Sequence, residues 1–393
     1  MFRQLILALA LFLLTVPLVL SADTDNPTIA FLRYRSSGIE DPARHVIWEM
    51  FEAYGLISAD ERALLDEEQD LEGEHINVFW SDAGSDIPTA NIMVEQALDR
   101  GADVLLTFST PVSAIAAGAT QDMENPPALF FAIVTAPYSA GIASSPCIKP
   151  SHVMGSHAAI PYELIVPLLQ VQNPDIKMLG TLVNPAEANS VFGAEKIAEY
   201  GEALGMTVET VSIASAADLP PATEALADKG VEAILLAAGY VEIVGLPAVI
   251  GVANDHGIPV FGPTPNQVYR GAVVGAGFNN WHGEGLAIAR MLIGHINGTI
   301  DIGTIGISSI PSLTVAVNLD AVEEAGIEIS DELLAMAEYV IENGESTENR
   351  ELPSLPEMTL EERMAEDAAF LAALACTPER IAAEQAELDA AEE

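Results

Sequence analysis

The sequence predicts an α/β protein of two doubly wound parallel-sheet lobes joined by a hinge, with a helical C-terminal tail. Three observations carry this expectation. Short β-branched or aromatic runs alternate with amphipathic stretches of crossover-helix length; the alternation occurs twice; and a Gly, Ser and Pro-rich stretch, Ser139 to Pro161, separates the two series. The chain has 393 residues, beyond the roughly 250 to 300 at which a single core stops growing.

Taken in order, the first series places strands at Thr28 to Leu32, Ile76 to Trp80, Val104 to Phe108 and Leu129 to Val134. Helices fall between them at Pro42 to Tyr54, Thr89 to Arg100 and Pro111 to Thr120. The second series has strands at Met178 to Val183, Thr207 to Ser212, Ala233 to Ala237 and Pro259 to Phe261, with helices beginning near Ser190, Pro220 and Leu246. A run from Gly271 to Phe278, a helix near His282 to Ile296 and a strand-like run from Leu313 to Asn318 then read as chain crossings between lobes. The expected division is therefore 23–150 with 271–300 as the first lobe and 151–270 with 301–341 as the second. Residues 342–393 form an acidic, Ala-rich extension, where Thr359 and Glu362 make a capping-box pattern and Leu360, Met364, Ala368, Leu371 and Leu374 follow at helical spacing. Thr377-Pro378 reads as a second helix start, so a helical hairpin packed on a lobe is expected, with a partner-binding helix pair as the alternative.

The chain opens Met-Phe-Arg, runs apolar from Leu5 to Leu20 and then meets the small pair Ser21-Ala22, the pattern of a secretory signal peptide over 1–22. Export to the periplasm or the extracellular space is expected, and no cysteine follows the apolar run to take a lipid. Without the signal the chain carries 14 basic against 58 acidic residues, a formal charge of −44. Such a field repels phosphate backbones and anionic lipid, so nucleic-acid and membrane-surface partners are excluded, and it keeps a protein hydrated in high salt. Cys147 and Cys376 are the two cysteines, which leaves either one disulfide or two separate thiols.

In open α/β sheets ligands lie beyond the carboxyl ends of the strands, and the loops there share one chemical style. Phe108-Ser109-Thr110-Pro111 puts hydroxyls at a helix start, where free amides favour a carboxylate. Thr135 ends the fourth strand, Asn184 to Ser190 leads from strand to helix in the second lobe, and Tyr240 and Thr264 follow later strands. Tyr34, Phe108, Tyr240 and Phe278 are candidates to stack on an apolar part of a ligand. Against an enzyme, the sequence contains no His-Glu-x-x-His, no Gly-x-Ser-x-Gly, no Lys-bearing phosphate loop and no cysteine pair at metal spacing. Gly275-Ala276-Gly277 lacks the third glycine of a dinucleotide fingerprint, Asn280 standing there instead. No catalytic residue, metal or cofactor is expected.

Several of these stretches together carry a likeness. They are Ser109-Thr110-Pro111-Val112-Ser113-Ala114 with Ala116 to Thr120, Ala132 to Pro137, Val183-Asn184-Pro185-Ala186-Glu187-Ala188-Asn189-Ser190, Ile258 to Gly262, and Val317 to Leu334. Over residues 28 to 341 the chain resembles the family of ABC-transporter substrate-binding proteins that includes tryptophan- and tyrosine-type receptors. The resemblance implies a type I periplasmic-binding fold that closes on a small molecule, works as a monomer, and passes its ligand to a membrane permease driven by a cytoplasmic ATPase. By matching position it implies ligand contacts from Ser109, Thr110, Thr135, Asn184, Asn189 and Ser190. Pro263-Thr264 and Phe278-Asn279 stand where relatives often carry an acid, so the group that would hold an amino acid's ammonium is not evident. A solute-sensing ectodomain signalling to a membrane kinase is the alternative.

Overall fold

The computed structural model describes residues 26–36, 38, 41–349 and 351–392. The expected signal peptide lies outside them. The first sheet contains β1 (Thr28–Arg33), β2 (Leu71–Glu72), β3 (Asn77–Asp82), β4 (Val104–Phe108), β5 (Ala128–Val134), β6 (Val153–His157) and β12 (Ser308–Ser309), in the order β12-β6-β5-β4-β1-β3-β2. The second contains β7 (Met178–Val183), β8 (Thr207–Ser212), β9 (Ala233–Leu235), β10 (Val260–Gly262), β11 (Val274–Gly277), β13 (Thr314–Asn318), β14 (Tyr339–Glu342) and β15 (Glu345–Ser346), in the order β15-β14-β13-β11-β10-β9-β7-β8. Pairing is parallel except for β2 with β3, β11 with β13 and β14 with β15.

Both faces of each sheet are covered, which is why the strands read as continuous apolar runs. In β1, Ile29 and Phe31 enter one core with α1 (Asp41–Ala53) and α9 (Trp281–Ile296), while Ala30 and Leu32 enter another with α3 (Ile87–Asp99) and α4 (Thr110–Thr120). The second sheet repeats this. Leu179 and Leu235 pack on α5 (Tyr162–Gln172) and α6 (Ala188–Ala203), and Leu182 and Ile234 on α7 (Leu219–Asp228) and α8 (Tyr240–Asp255). Each fully buried Leu, Ile or Phe stabilises such a layer by roughly 1.5–3 kcal/mol. Helix α9 presses closely on α1: a Cβ at Gly285 would stand 2.3 Å from the Ala43 carbonyl oxygen.

The sheets differ from the expected division in four places, two of them being β12, expected with 301–341 in the second lobe but paired with β6 in the first sheet, and β15, expected in the helical extension but paired with β14 in the second. The strand β6, expected on the second-lobe side of residue 150, pairs with β5 in the first sheet. Its sequence, Val-Met-Gly-Ser-His, hides a strand because Gly155 breaks the β-branched run, yet glycine is required where the Phe131 ring would lie 2.4 Å from a Cβ. The strand β11, expected to return with 271–300 to the first lobe, stays in the second sheet beside β10, and the chain crosses only as α9 begins.

The remaining helices are α2 (Ala59–Asp66), α10 (Leu319–Glu324), α11 (Asp331–Met336), α12 (Leu360–Ala373) and α13 (Pro378–Glu392). The capping box of Thr359 and Glu362 starts α12. The expected apolar stripe docks only by its C-terminal half: Leu360 and Met364 are exposed, whereas Leu371 is buried and Leu374 packs on the first-lobe core, beside the buried Arg363 and Asp367. Asp367 accepts from Arg290 Nε of α9 at 2.7 Å and from the Tyr54 hydroxyl at 2.6 Å, so polar contacts as well as apolar ones hold the tail on the first lobe. Cys147 and Cys376 are joined in a disulfide. Among the described residues no helix is long and apolar enough to cross a membrane.

Candidate ligand-binding cleft

In the first sheet the direction of winding reverses between β1 and β4, and in the second between β7 and β9. The crevice beyond the carboxyl ends of such strand pairs is where backbone amides and loop side chains converge on a ligand. A cleft of about 750 Å³ lies there, lined from the first lobe by Arg35, Phe108, Ser109, Thr110, Ile133 and Thr135. The second lobe contributes Asn189, Ala238, Tyr240, Thr264 and the segment Asn266 to Arg270. Such a volume fits a small organic solute.

The first-lobe wall is built around the start of α4. Ser109 is its N-cap but makes no side-chain cap bond, and it adopts φ 91°, ψ 148°, a region that favours glycine. Two bonds hold it there: its amide donates to the Ala132 carbonyl at 3.0 Å, and its own carbonyl accepts from Ser113 Oγ at 2.8 Å. The Ser109 hydroxyl is thus left for another partner, beside first-turn amides that no intrahelical carbonyl satisfies. Thr110 Oγ1 accepts from the Thr135 amide at 3.3 Å, so its own proton is free to be donated.

On the second-lobe wall, Asn189 at the start of α6 donates from Nδ2 to the Ala238 carbonyl at 2.6 Å. Its Oδ1 is buried and accepts nothing among the described residues. Tyr240 reaches across: its hydroxyl donates to the Arg35 carbonyl at 3.0 Å, and its ring meets Tyr34 edge-on with centroids 5.2 Å apart.

Four of the residues expected at the site lie behind this surface. Tyr34 donates to the Ser85 carbonyl and supports the Tyr240 ring. Phe278 is fully buried and packs edge-on against Trp281, so Trp281 lines the cleft in its place. Asn184 and Ser190 belong to a buried polar cluster: Asn184 Nδ2 donates to Glu187 at 2.9 Å, Ser190 Oγ donates to Glu242, and Glu187 accepts the Tyr240 amide at 2.5 Å. Burial pushes both carboxyls up, Glu242 to about 7, helped there by the charge of Glu187. This cluster fixes the starts of α6 and α8, and so the placing of Asn189 and Tyr240, without touching the cleft.

A third buried acid, Glu284 of α9, accepts the Ile133 amide, and burial pushes it up to about 8. Ile133 sits at φ 55° in an irregularity between β5 and β6, which turns it to the cleft and toward the cores of both lobes.

With this geometry in place, comparison with known proteins is decisive for the family. The family model described as ABC transporter substrate binding protein matches residues 61–341. The chain belongs to that family. A tyrosine-binding protein of Clostridioides difficile is 21% identical over 252 residues, covering 64% of this chain and 71% of the relative. A conserved domain protein from Vibrio cholerae superposes with a TM-score of 0.70 at 23% identity, over 81% of this chain and 100% of that one. An ABC domain from Streptococcus pneumoniae, in complex with L-Trp, gives 0.69 at 21% identity over 80% of this chain and 100% of that one. At these identities the two structures establish the fold.

This substrate-binding protein also lines its cleft with residues that sequence reasoning did not single out. Trp281 and His282 follow Asn280, whose side chain accepts from the Gly283 amide and starts α9; the Asn-Asn-Trp-His cluster at a strand end was a legible signal. Arg35, Asp41 and Arg270 carried none, being single charges in polar stretches. Glu348, Asn349, Glu351, Leu352 and Pro353 come from the tail, beyond the residues that the family model matches.

Proposed function

We propose that this chain is the extracytoplasmic receptor of an ABC importer, capturing an aromatic L-α-amino acid between its lobes and presenting it to a membrane permease. The observation that carries this is the pairing, in one cleft, of an uncapped helix start with aromatic rings and the Asn189 Oδ1 acceptor, unsatisfied among the described residues. The ligand carboxylate would take the Ser109 and Thr110 hydroxyls and the first-turn amides of α4, with charge-assisted bonds shorter and stronger than neutral ones. Its ammonium would donate to Asn189 Oδ1, which no other group satisfies among the described residues. Phe108, Tyr240 and Trp281 offer ring faces and edges to an aromatic side chain.

The relatives that bind tyrosine and L-Trp support an amino-acid ligand of this kind. The acidic surface and apolar leader support export. Titration calorimetry and thermal melting with L-tryptophan, L-tyrosine, L-phenylalanine and the other amino acids test the reading. Ligand at 100 times Kd should stabilise the fold by about 2.7 kcal/mol. If no amino acid binds, the assignment falls.

A further inference from the structure

The extension does more than dock on one lobe. It leaves the second lobe at β15, where Tyr269 donates to Glu348, the Thr347 amide donates to the Val340 carbonyl at 3.0 Å, and Val340 donates back to Thr347 Oγ1 at 2.9 Å. It reaches the first lobe at Leu355, whose amide donates to Glu49 of α1 at 3.1 Å and whose side chain packs on the first-lobe core. From there Arg363 donates to the Pro356 carbonyl at 3.0 Å, Asp367 binds Arg290 and Tyr54, and Cys376 is bonded to Cys147. Between the two anchorages none of the described residues lies in a helix or strand, and Glu348, Asn349, Glu351, Leu352 and Pro353 line the cleft.

We propose that this stretch, Thr347 to Thr359, is a strap: a tether between the lobes that bounds how far they part and forms a wall of the ligand site. The seven steps from Glu348 to Leu355 span at most about 25 Å when fully extended. Opening beyond that reach would have to break one anchorage. Pro353 and Pro356 restrict the backbone further. By excluding the widest open states the strap raises the fraction of molecules competent to bind, and apparent affinity scales with that fraction. Its acids, Glu348 and Glu351, also place negative charge at the mouth, where the family match supplies none. The ligand wall rests on the amino-acid reading above; the tether does not.

Deleting the tail would remove the disulfide and uncover the first lobe, so the test cuts the strap in the intact protein. A site-specific protease sequence is inserted between Pro353 and Ser354, the parent chain without it serving as the uncut reference because the insertion itself lengthens the strap, and the nicked chain stays together through the Cys147–Cys376 bond and the α12 contacts. Spin labels at Asn91→Cys and Asp228→Cys, exposed positions on α3 and α7, report the lobe separation of the ligand-free protein. Nicking is expected to broaden the distance distribution and extend it to longer values. Identical distributions in the parent and the nicked chain overturn the tether. In parallel, the affinity of whichever of L-tryptophan and L-tyrosine binds the uncut protein is expected to fall about fivefold or more on nicking. Unchanged affinity overturns the wall. Should neither amino acid bind the uncut protein, the amino-acid reading fails while the label distances still decide the tether.

Discussion

The Oε1 oxygen of Glu284 lies 2.7 Å from the backbone nitrogen of Ile133, a residue 151 positions earlier in the chain. This bond holds the irregular end of β5 against the start of α9, where one lobe gives way to the other. Glu284 is fully buried, its second oxygen has no partner among the described residues, and burial pushes it up to about 8 from an ordinary 4.5.

A raised carboxyl means that the folded chain holds a proton that the unfolded chain has released. Stability is therefore lost as pH rises from the unfolded value toward the folded one. The buried histidines, lowered from 6.5, act oppositely but only below that value. Between about pH 6.5 and 7.5, below the range where Lys149, lowered to about 8 by burial, pulls the other way, Glu284 is left to dominate, joined by Glu242 at about 7, and stability should fall by about 1 kcal/mol or more per pH unit. Urea denaturation across this window should show the slope, and Glu284→Gln should flatten it. An unchanged slope in the variant would assign the effect elsewhere.

Ser109→Gly separates stability from binding. Relief of the φ 91° conformation should stabilise the fold by about 1 kcal/mol, seen as a higher denaturation midpoint. Loss of the hydroxyl should weaken L-tryptophan or L-tyrosine binding about tenfold by calorimetry. A variant that is less stable than the parent contradicts the strain.

The neighbours Asn189 and Ser190 should behave differently. Asn189→Ala removes the free acceptor facing the cleft and is expected to cost about tenfold or more in amino-acid affinity. Ser190→Ala leaves a buried Glu242 without its hydroxyl partner, and is expected to lower stability by about 1–3 kcal/mol. Melting and calorimetry on both variants would reveal equal losses on both measures if the cleft and the cluster behind it were one unit.

Charge gives a fourth expectation. With 58 acidic against 15 basic residues, self-repulsion opposes compaction, and raising salt from 0.1 to 1 M shortens the screening length from about 10 to about 3 Å. The melting temperature should climb with sodium chloride over this range. A flat or falling profile would show that the ion pairs, such as those of Arg33 with Glu68 and Asp82, outweigh the repulsion.

The doubly wound architecture was legible because its signals are local: β4, β7 and β8 begin and end where the apolar runs do. So was the hydroxyl-rich start of α4, since strand ends and helix caps are written in adjacent residues. What stayed hidden depends on distance. Glycine in β6 reads as a bridge until the Phe131 ring lies beside it, and Asn184 and Ser190 look like ligand contacts until Glu187 and Glu242 arrive to occupy them. The apolar stripe of α12 was legible only in part for a related reason: Leu371 and Leu374 reach the core, but a surface with Arg290 and Tyr54 also docks the helix by Asp367, and no periodicity of one segment announces the chemistry of its partner.

The chain has three tryptophans, and their positions differ in a useful way. Trp48 and Trp80 sit together in the first lobe with ring centroids 5.9 Å apart, while Trp281 borders the cleft. Light emitted by the first two reports an interior that a guest never meets. The third is a native optical gauge of occupancy, and with tyrosine or phenylalanine as guest its colour and brightness should follow loading in real time, with no dye attached.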